Sequence, residues 1–229
     1  MTVDLQLPAP GRAPRMVTLP GVYVPQYDTH FLMAALERER LRPGSEVLDL
    51  GTGSGALAVR AAQLGGQVTA VDIARRAVLT ARLNAFLCRQ RVTVKRGDLT
   101  AAVSRGPYDL VLSNPPYVPA PDGVPPRHGA ARAWDAGTDG RALVDRICDL
   151  APKAVRPRGA LLLVHSGLCD AEATVRRLAQ AGMHATVSER ALVPFGPVLR
   201  SRLPWLRARG LLREGQNREE LVIIRAEHA

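Results

Sequence analysis

The run Val47-Leu48-Asp49-Leu50 gives way at once to Gly51-Thr52-Gly53-Ser54-Gly55, with three glycines at alternate positions. A short apolar run of this kind suits a buried strand. The glycines supply backbone that can take positive φ and approach a ligand closely. Residues 56–64 then carry apolar side chains at helical spacing, and Gly65-Gly66 closes them. A strand that turns on glycine into a helix is the opening unit of an α/β domain, and the rest of the chain must continue it.

It does. Residues 67–71 form a second strand ending at Asp72, and 74–88 a second helix. Residues 91–95 form a third strand, followed by Gly97-Asp98-Leu99, and 108–112 a fourth, ending at Asn114. Residues 141–155 read as a helix, 157–159 as a turn, 160–165 as a fifth strand, 171–181 as a helix, 184–188 as a sixth strand and 220–225 as the last. The alternation predicts a Rossmann-like α/β fold: a mostly parallel seven-stranded sheet with helices on both faces. Upstream, Asp28 is placed to cap a helix running to about residue 40, with Phe31, Leu32, Ala35 and Leu36 facing inward. The proline-rich residues 1–20 are expected to form a flexible extension. Residues 21–229 then form one domain, with an inserted segment at about 192–216 whose prolines 194, 197 and 204 should prevent one continuous helix.

In open sheets of this type ligands lie beyond the carboxyl ends of the strands. Three polar features converge there. Gly51, Gly53 and Gly55 form the loop after the first strand. Asp72 ends the second strand, where a carboxylate can accept both hydroxyls of a ribose. Asp98 follows the third and can accept from an adenine amino group. The spacing is G-x-G-x-G rather than the dinucleotide G-x-G-x-x-G, and no Gly-Lys-Ser/Thr follows, so the loop is not a P-loop. Asp49, Asp72 and Asp98 favour a positively charged nucleoside, S-adenosylmethionine, over a pyrophosphate.

Ser113-Asn114-Pro115-Pro116-Tyr117 ends the fourth strand. The Asn114 carboxamide oxygen can accept from an amino group, and the Pro115 carbonyl can be aimed at the same group. Pro116 stiffens the turn, and Tyr117 can stack on a planar amide or base. Such a set suits a flat, weakly nucleophilic nitrogen, held by acceptors with its lone pair toward a methyl donor.

Asp49-Leu50-Gly51-Thr52-Gly53-Ser54-Gly55, Asp72, Gly97-Asp98-Leu99 and Asn114-Pro115-Pro116-Tyr117 together resemble the HemK/PrmC group of class I S-adenosylmethionine-dependent methyltransferases, in its short single-domain branch. The resemblance implies methylation of a glutamine side-chain nitrogen in peptide release factors. It implies cofactor contacts at Thr29, Asp49, Gly51, Thr52, Gly53, Gly55, Asp72, Asp98, Leu99 and Asn114. It implies substrate contacts at Asn114, Pro115 and Tyr117. Val22 to Thr29 resembles the family's lead-in segment over the cofactor, although Val24 and Tyr27 stand where acids are usual.

Other acceptors suit the same turn: an exocyclic amine of a nucleic-acid base, a lysine or a small metabolite. A non-catalytic cofactor-binding subunit is a further class, which the Asn-Pro-Pro-Tyr turn argues against. The net charge is +10, and of 31 basic residues only Lys95 and Lys153 are lysines. A basic surface attracts RNA and ribosomes, but no basic block interleaved with aromatics marks a dedicated reader. The insertion arginines read as a solvated face or a docking surface for an acidic or RNA-bearing partner. Cys88, Cys148 and Cys169 lack metal or disulfide spacing and read as buried free thiols, so no metal is expected. No apolar run of about 18 residues spans a membrane, and the start lacks a secretory leader, which predicts a cytoplasmic protein. His165 reads as a strand-end histidine without chemistry, His30 as a minor candidate on the lead-in helix, and Asp135 and Asp139 as loop and cap residues.

Overall fold

The computed structural model describes residues 16–104 and 106–228. Seven strands form one sheet: β1 (Glu46–Leu50), β2 (Gln67–Asp72), β3 (Val92–Arg96), β4 (Tyr108–Ser113), β5 (Val155–Ser166), β6 (Met183–Pro194) and β7 (Arg218–His228). Their order is β3-β2-β1-β4-β5-β7-β6. β1 to β5 pair in parallel, and β7 runs antiparallel to both neighbours. The expected sheet is therefore present.

Helices α1 (Tyr27–Arg38), α2 (Ala56–Gln63) and α3 (Arg75–Leu87) pack together in one layer. α4 (Leu99–Val103), α5 (Ala142–Ala154) and α6 (Ala171–Gln180) form the other. Between them Leu48, Leu50, Leu112 and Leu161 to Leu163 are fully buried. Central strands covered on both faces carry such unbroken apolar runs, and each buried leucine contributes roughly 1.5–3 kcal/mol.

One register positions everything that follows. β1 and β4 are hydrogen-bonded neighbours, with Leu50 opposite Ser113. The Ser113 hydroxyl donates to the Leu50 carbonyl at 2.9 Å. Gly51 and Asn114 are the next residues on the two strands, so the glycine loop and the Asn-Pro-Pro-Tyr turn leave the sheet side by side. Strand order reverses between β1 and β4, which is where open α/β sheets form their ligand crevice.

Several local expectations need correction. α1 begins at Tyr27 with Gln26 at its cap position, so Asp28 lies inside the first turn. The turn at 157–159 survives as a bulge within β5: Tyr108 pairs with Val155 and Leu110 already with Ala160. β6 runs on to Pro194, and α7 (Pro197–Ala208) fills much of the inserted segment. Pro197 sits in its first turn, where no N–H is needed. Pro204 lies inside the helix on its exposed side, which continues because Leu199 and Leu206 are buried beneath it. α4 was not expected; Asp98 caps it, accepting from the Ala101 N–H at 2.9 Å. Of the expected flexible extension, residues 1–15 lie outside the described residues. Val17 is pinned, its N–H and carbonyl both bonded to Asn84 at 2.8 Å. Among the thiols Cys148 and Cys169 are buried and Cys88 is half-buried.

Candidate active site

Gly51, Gly53 and Gly55 all have positive φ, as the loop requires. A Cβ on Gly51 would meet nothing within 4 Å, and one on Gly53 only the Gly51 carbonyl at 4.0 Å. The space beside these two residues is open. Gly55 differs: a Cβ there would lie 2.9 Å from Ala81 on α3. It allows the helix to approach, and the first two glycines leave room for a ligand.

Two aspartates shape the loop. Asp49 is wholly buried. Its Oδ2 accepts from the Thr52 hydroxyl at 2.6 Å and the Ala58 N–H at 3.1 Å, tying the loop to α2. Burial pushes its pKa up to about 7. Its Oδ1 is buried without a partner among the described residues. Asp72 accepts from the Gly53 N–H at 3.0 Å and the Ala74 N–H at 2.8 Å. Burial raises its pKa; those N–H groups and the nearby Arg132 guanidinium counter the rise. Asp98 is exposed on the same rim, and Leu99 is half-buried against the core.

On the other side of the crevice, hydrogen bonding fixes the orientation of Asn114. The buried Asp28 carboxylate accepts from the Thr29 N–H at 2.6 Å and from its hydroxyl at 3.2 Å. With that proton committed, the Thr29 oxygen accepts from Asn114 Nδ2 at 3.2 Å. Asn114 Oδ1 is thereby turned away as an acceptor. The other Asp28 oxygen accepts from the hydroxyls of Tyr23 at 2.8 Å and Tyr117 at 3.0 Å. Tyr117 retains only 8% exposure, so its ring is fixed as part of the wall. Burial and Asp28 hold both phenols above their ordinary range. Pro115 is buried.

Behind the turn, the Cys169 thiol donates to the Tyr117 carbonyl at 3.1 Å. The long loop after Tyr117 folds back on itself: Val118 bonds the Trp134 carbonyl at 2.8 Å and Ala120 that of Gly137 at 2.9 Å. Asp135 pairs with Arg202 of α7 at 2.6 Å, locking the inserted segment to this loop. A surface cavity of about 760 Å³ lies elsewhere, lined by Gly66, Arg82, Phe86 and Val92 among others. The described residues contain no cluster of side chains suited to a metal ion.

A methyltransferase small domain model matches residues 14–123. A Methanocaldococcus jannaschii protein, provisionally named a protein N5-glutamine methyltransferase, is 30% identical over 177 residues, covering 77% of this chain and 88% of its own. The release factor glutamine methyltransferase of Bordetella pertussis is 39% identical over 183 residues, covering 76% of this chain and 67% of its own. The chain belongs to the HemK/PrmC-like family of class I methyltransferases. Among solved structures, the E. cuniculi Mtq2–Trm112 complex, described as responsible for methylation of the termination factor eRF1, superposes with a TM-score of 0.62. Its identity to this chain is 26%, over 91% of this chain and 99% of that one.

Within this methyltransferase, the sequence does not announce two residues beside the Asn-Pro-Pro-Tyr turn and one beside Asp72. Asp28, a cap residue by sequence, is the shared acceptor for Tyr23, Thr29 and Tyr117. Its position beside Thr29 in the lead-in segment was the available signal. Glu219, at the start of β7, is buried at 5% exposure with burial raising its pKa to about 7. Only the Glu219-Glu220 pair just before the apolar run Leu221 to Ile224 hints at it. Nothing in the sequence placed Arg132 beside Asp72. His165 is fully buried, its Nδ1 2.8 Å from the Ser166 carbonyl and its pKa lowered by burial to about 4. It is a poor base near neutrality, in keeping with its reading as a histidine without chemistry. Asp139 accepts from the Arg141 N–H at 2.9 Å, as a capping residue does.

Proposed function

We propose that this methyltransferase uses S-adenosylmethionine to methylate the side-chain amide nitrogen of a protein glutamine, that of a peptide release factor in particular. The names of the relatives from B. pertussis and M. jannaschii support this. So does a Bradyrhizobium diazoefficiens relative named for glutamine methylation of ribosomal protein uL3, 43% identical over 124 residues that cover 51% of this chain and 39% of its own. The observation that carries the reading is the relay from Asp28 through Thr29 to Asn114, which leaves a rigid acceptor oxygen beside the glycine loop.

The residues present fit the cofactor. The open space at Gly51 and Gly53 admits a ligand. The unpartnered Asp49 Oδ1 suits a cationic group, and Asp72 has lone pairs left for ribose hydroxyls. Asp98 and Leu99 would flank a base, and Thr52 supports the loop from beneath. When bound, S-adenosylmethionine supplies an electrophilic methyl group on a sulfonium. The protein's work is positioning. Asn114 Oδ1 and the Pro115 carbonyl accept the two N–H groups of a carboxamide, so its plane is fixed and electron density is pushed onto nitrogen. Tyr117, clamped through its hydroxyl, bounds that plane. Orientation of this kind can account for several kcal/mol of a barrier, and oriented acceptors for about 3 more.

Tritium transfer from labelled cofactor tests the function. Label should enter the release factor and vanish when its acceptor glutamine is replaced. Label in RNA instead would favour a base amine, and cofactor binding without any transfer would favour a non-catalytic subunit.

A further inference from the structure

β5 ends at Ser166, and β7 runs back beside it with Leu221 opposite Ser166. Glu219 therefore stands just past the carboxyl end of β5, on the same rim of the sheet as Asn114 at the end of β4. It is 5% exposed. The Ser166 hydroxyl satisfies one side of its carboxylate. Its Oε1 is buried with no partner among the described residues.

Four groups lie close enough to interact electrostatically with Glu219: Asp28 on α1, Tyr23 in the lead-in segment, Tyr117 in the turn and Cys169 after β5. None can donate to Oε1, because both phenols give their protons to Asp28 and the thiol gives its own to the Tyr117 carbonyl. Neither Asp28 nor Glu219 forms an ion pair among the described residues. A buried acceptor left unsatisfied is costly, and a second carboxylate nearby with no cation between them makes it more so. The donor that relieves this must come from outside.

We propose that Glu219 determines specificity at the acceptor site: its Oε1 shares with the Pro115 carbonyl one N–H of the incoming amide, and its charge, with that of Asp28, excludes a carboxylate. A glutamine side chain supplies such an N–H. Its isostere glutamate presents only acceptors and a like charge. Sites built to pair with a donor reject analogues lacking it by factors of roughly 10⁴. This rests on the glutamine reading given above.

The test is steady-state transfer to the release factor from tritiated S-adenosylmethionine, with Glu219→Gln and Glu219→Ala against wild type. Glu219→Ala should raise the KM for the release factor at least tenfold and leave cofactor affinity unchanged. Glu219→Gln keeps an acceptor oxygen and should recover most of that loss at pH 8. Wild-type kcat/KM should fall as pH drops below about 7, where Glu219 gains a proton, and Glu219→Gln should lose that part of the limb. Tyr23, Tyr117 and Cys169, all held above their ordinary ranges, do not supply it; Asp49, also near 7, is the same in both proteins, so the difference between the two profiles reports Glu219. Wild-type KM and pH profile in both variants would overturn the proposal. So would loss of cofactor affinity in both, which would mark a purely structural role. A wild-type enzyme that labels nothing in the release factor overturns the glutamine reading itself, and is distinguished because no variant is needed to see it.

Discussion

Gly140 carries no side chain, yet the acceptor turn depends on it. A Cβ there would lie 2.8 Å from the Cys169 sulfur and well inside contact distance of the Tyr117 carbonyl oxygen, with φ at +73°. Gly140→Ala must therefore push that carbonyl back by about 1 Å to restore ordinary van der Waals separation. The movement falls on the residue whose hydroxyl is bound to Asp28 and whose carbonyl accepts from Cys169. Left-handed backbone costs a non-glycine residue roughly 1–2 kcal/mol, and overpacking about 1–3 more. The sum is roughly 2–5 kcal/mol, read as a lower denaturation midpoint at unchanged m-value. A 1 Å misplacement near the chemistry can cost about 100-fold in rate, so kcat/KM for methyl transfer should fall about that far. Cofactor affinity, which depends on the glycine loop, should change little. Gly210→Ala is the control: φ is +69° and nothing lies within 4 Å, so only the backbone strain remains. Gly140→Ala with wild-type transfer and a midpoint no lower than the control would refute the reasoning.

Two further outcomes follow from the same site. Gly55→Ala should destabilise by roughly 3 kcal/mol through its clash with α3, whereas Gly53→Ala should cost only about 1–2 kcal/mol of strain and instead weaken cofactor binding; thermal melts and calorimetric titration separate them, and equal effects on both would contradict the division of roles. Glu219 has a folded pKa near 7, above its unfolded value of about 4.5, so its stability contribution is complete below pH 4.5 and lost as pH rises through 7. Glu219→Gln should therefore gain on wild type by roughly 2–3 kcal/mol between pH 5 and pH 8. Urea titrations at the two pH values check this, and a constant difference would contradict it.

The glycine-loop half of the crevice is legible in the sequence because that half is local. Gly51 to Gly55 and Asp72 lie at strand ends, and an alternation of strands and helices brings strand ends to one rim. Asn114 was legible for the same reason. The role of Asp28 was not, because its partners Tyr23, Thr29 and Tyr117 meet only after α1 folds over β4 and the turn. Glu219 was hidden for a like reason: β7 returns antiparallel, so its first residues, rather than its last, reach the rim. The bulge in β5 and the proline within α7 escaped because tertiary packing overrides turn and helix-breaking signals of single residues.

The central claim is that Asn114, oriented by Asp28 and Thr29, holds the acceptor nitrogen beside a cofactor bound on the glycine loop. The most direct measurement is methyl transfer to the release factor by Asn114→Ala, with cofactor affinity determined on the same preparation. Transfer should fall by roughly 100- to 1,000-fold, with the cofactor Kd within a few-fold of wild type. Undiminished transfer, or a Kd weakened as far as the rate, would contradict it.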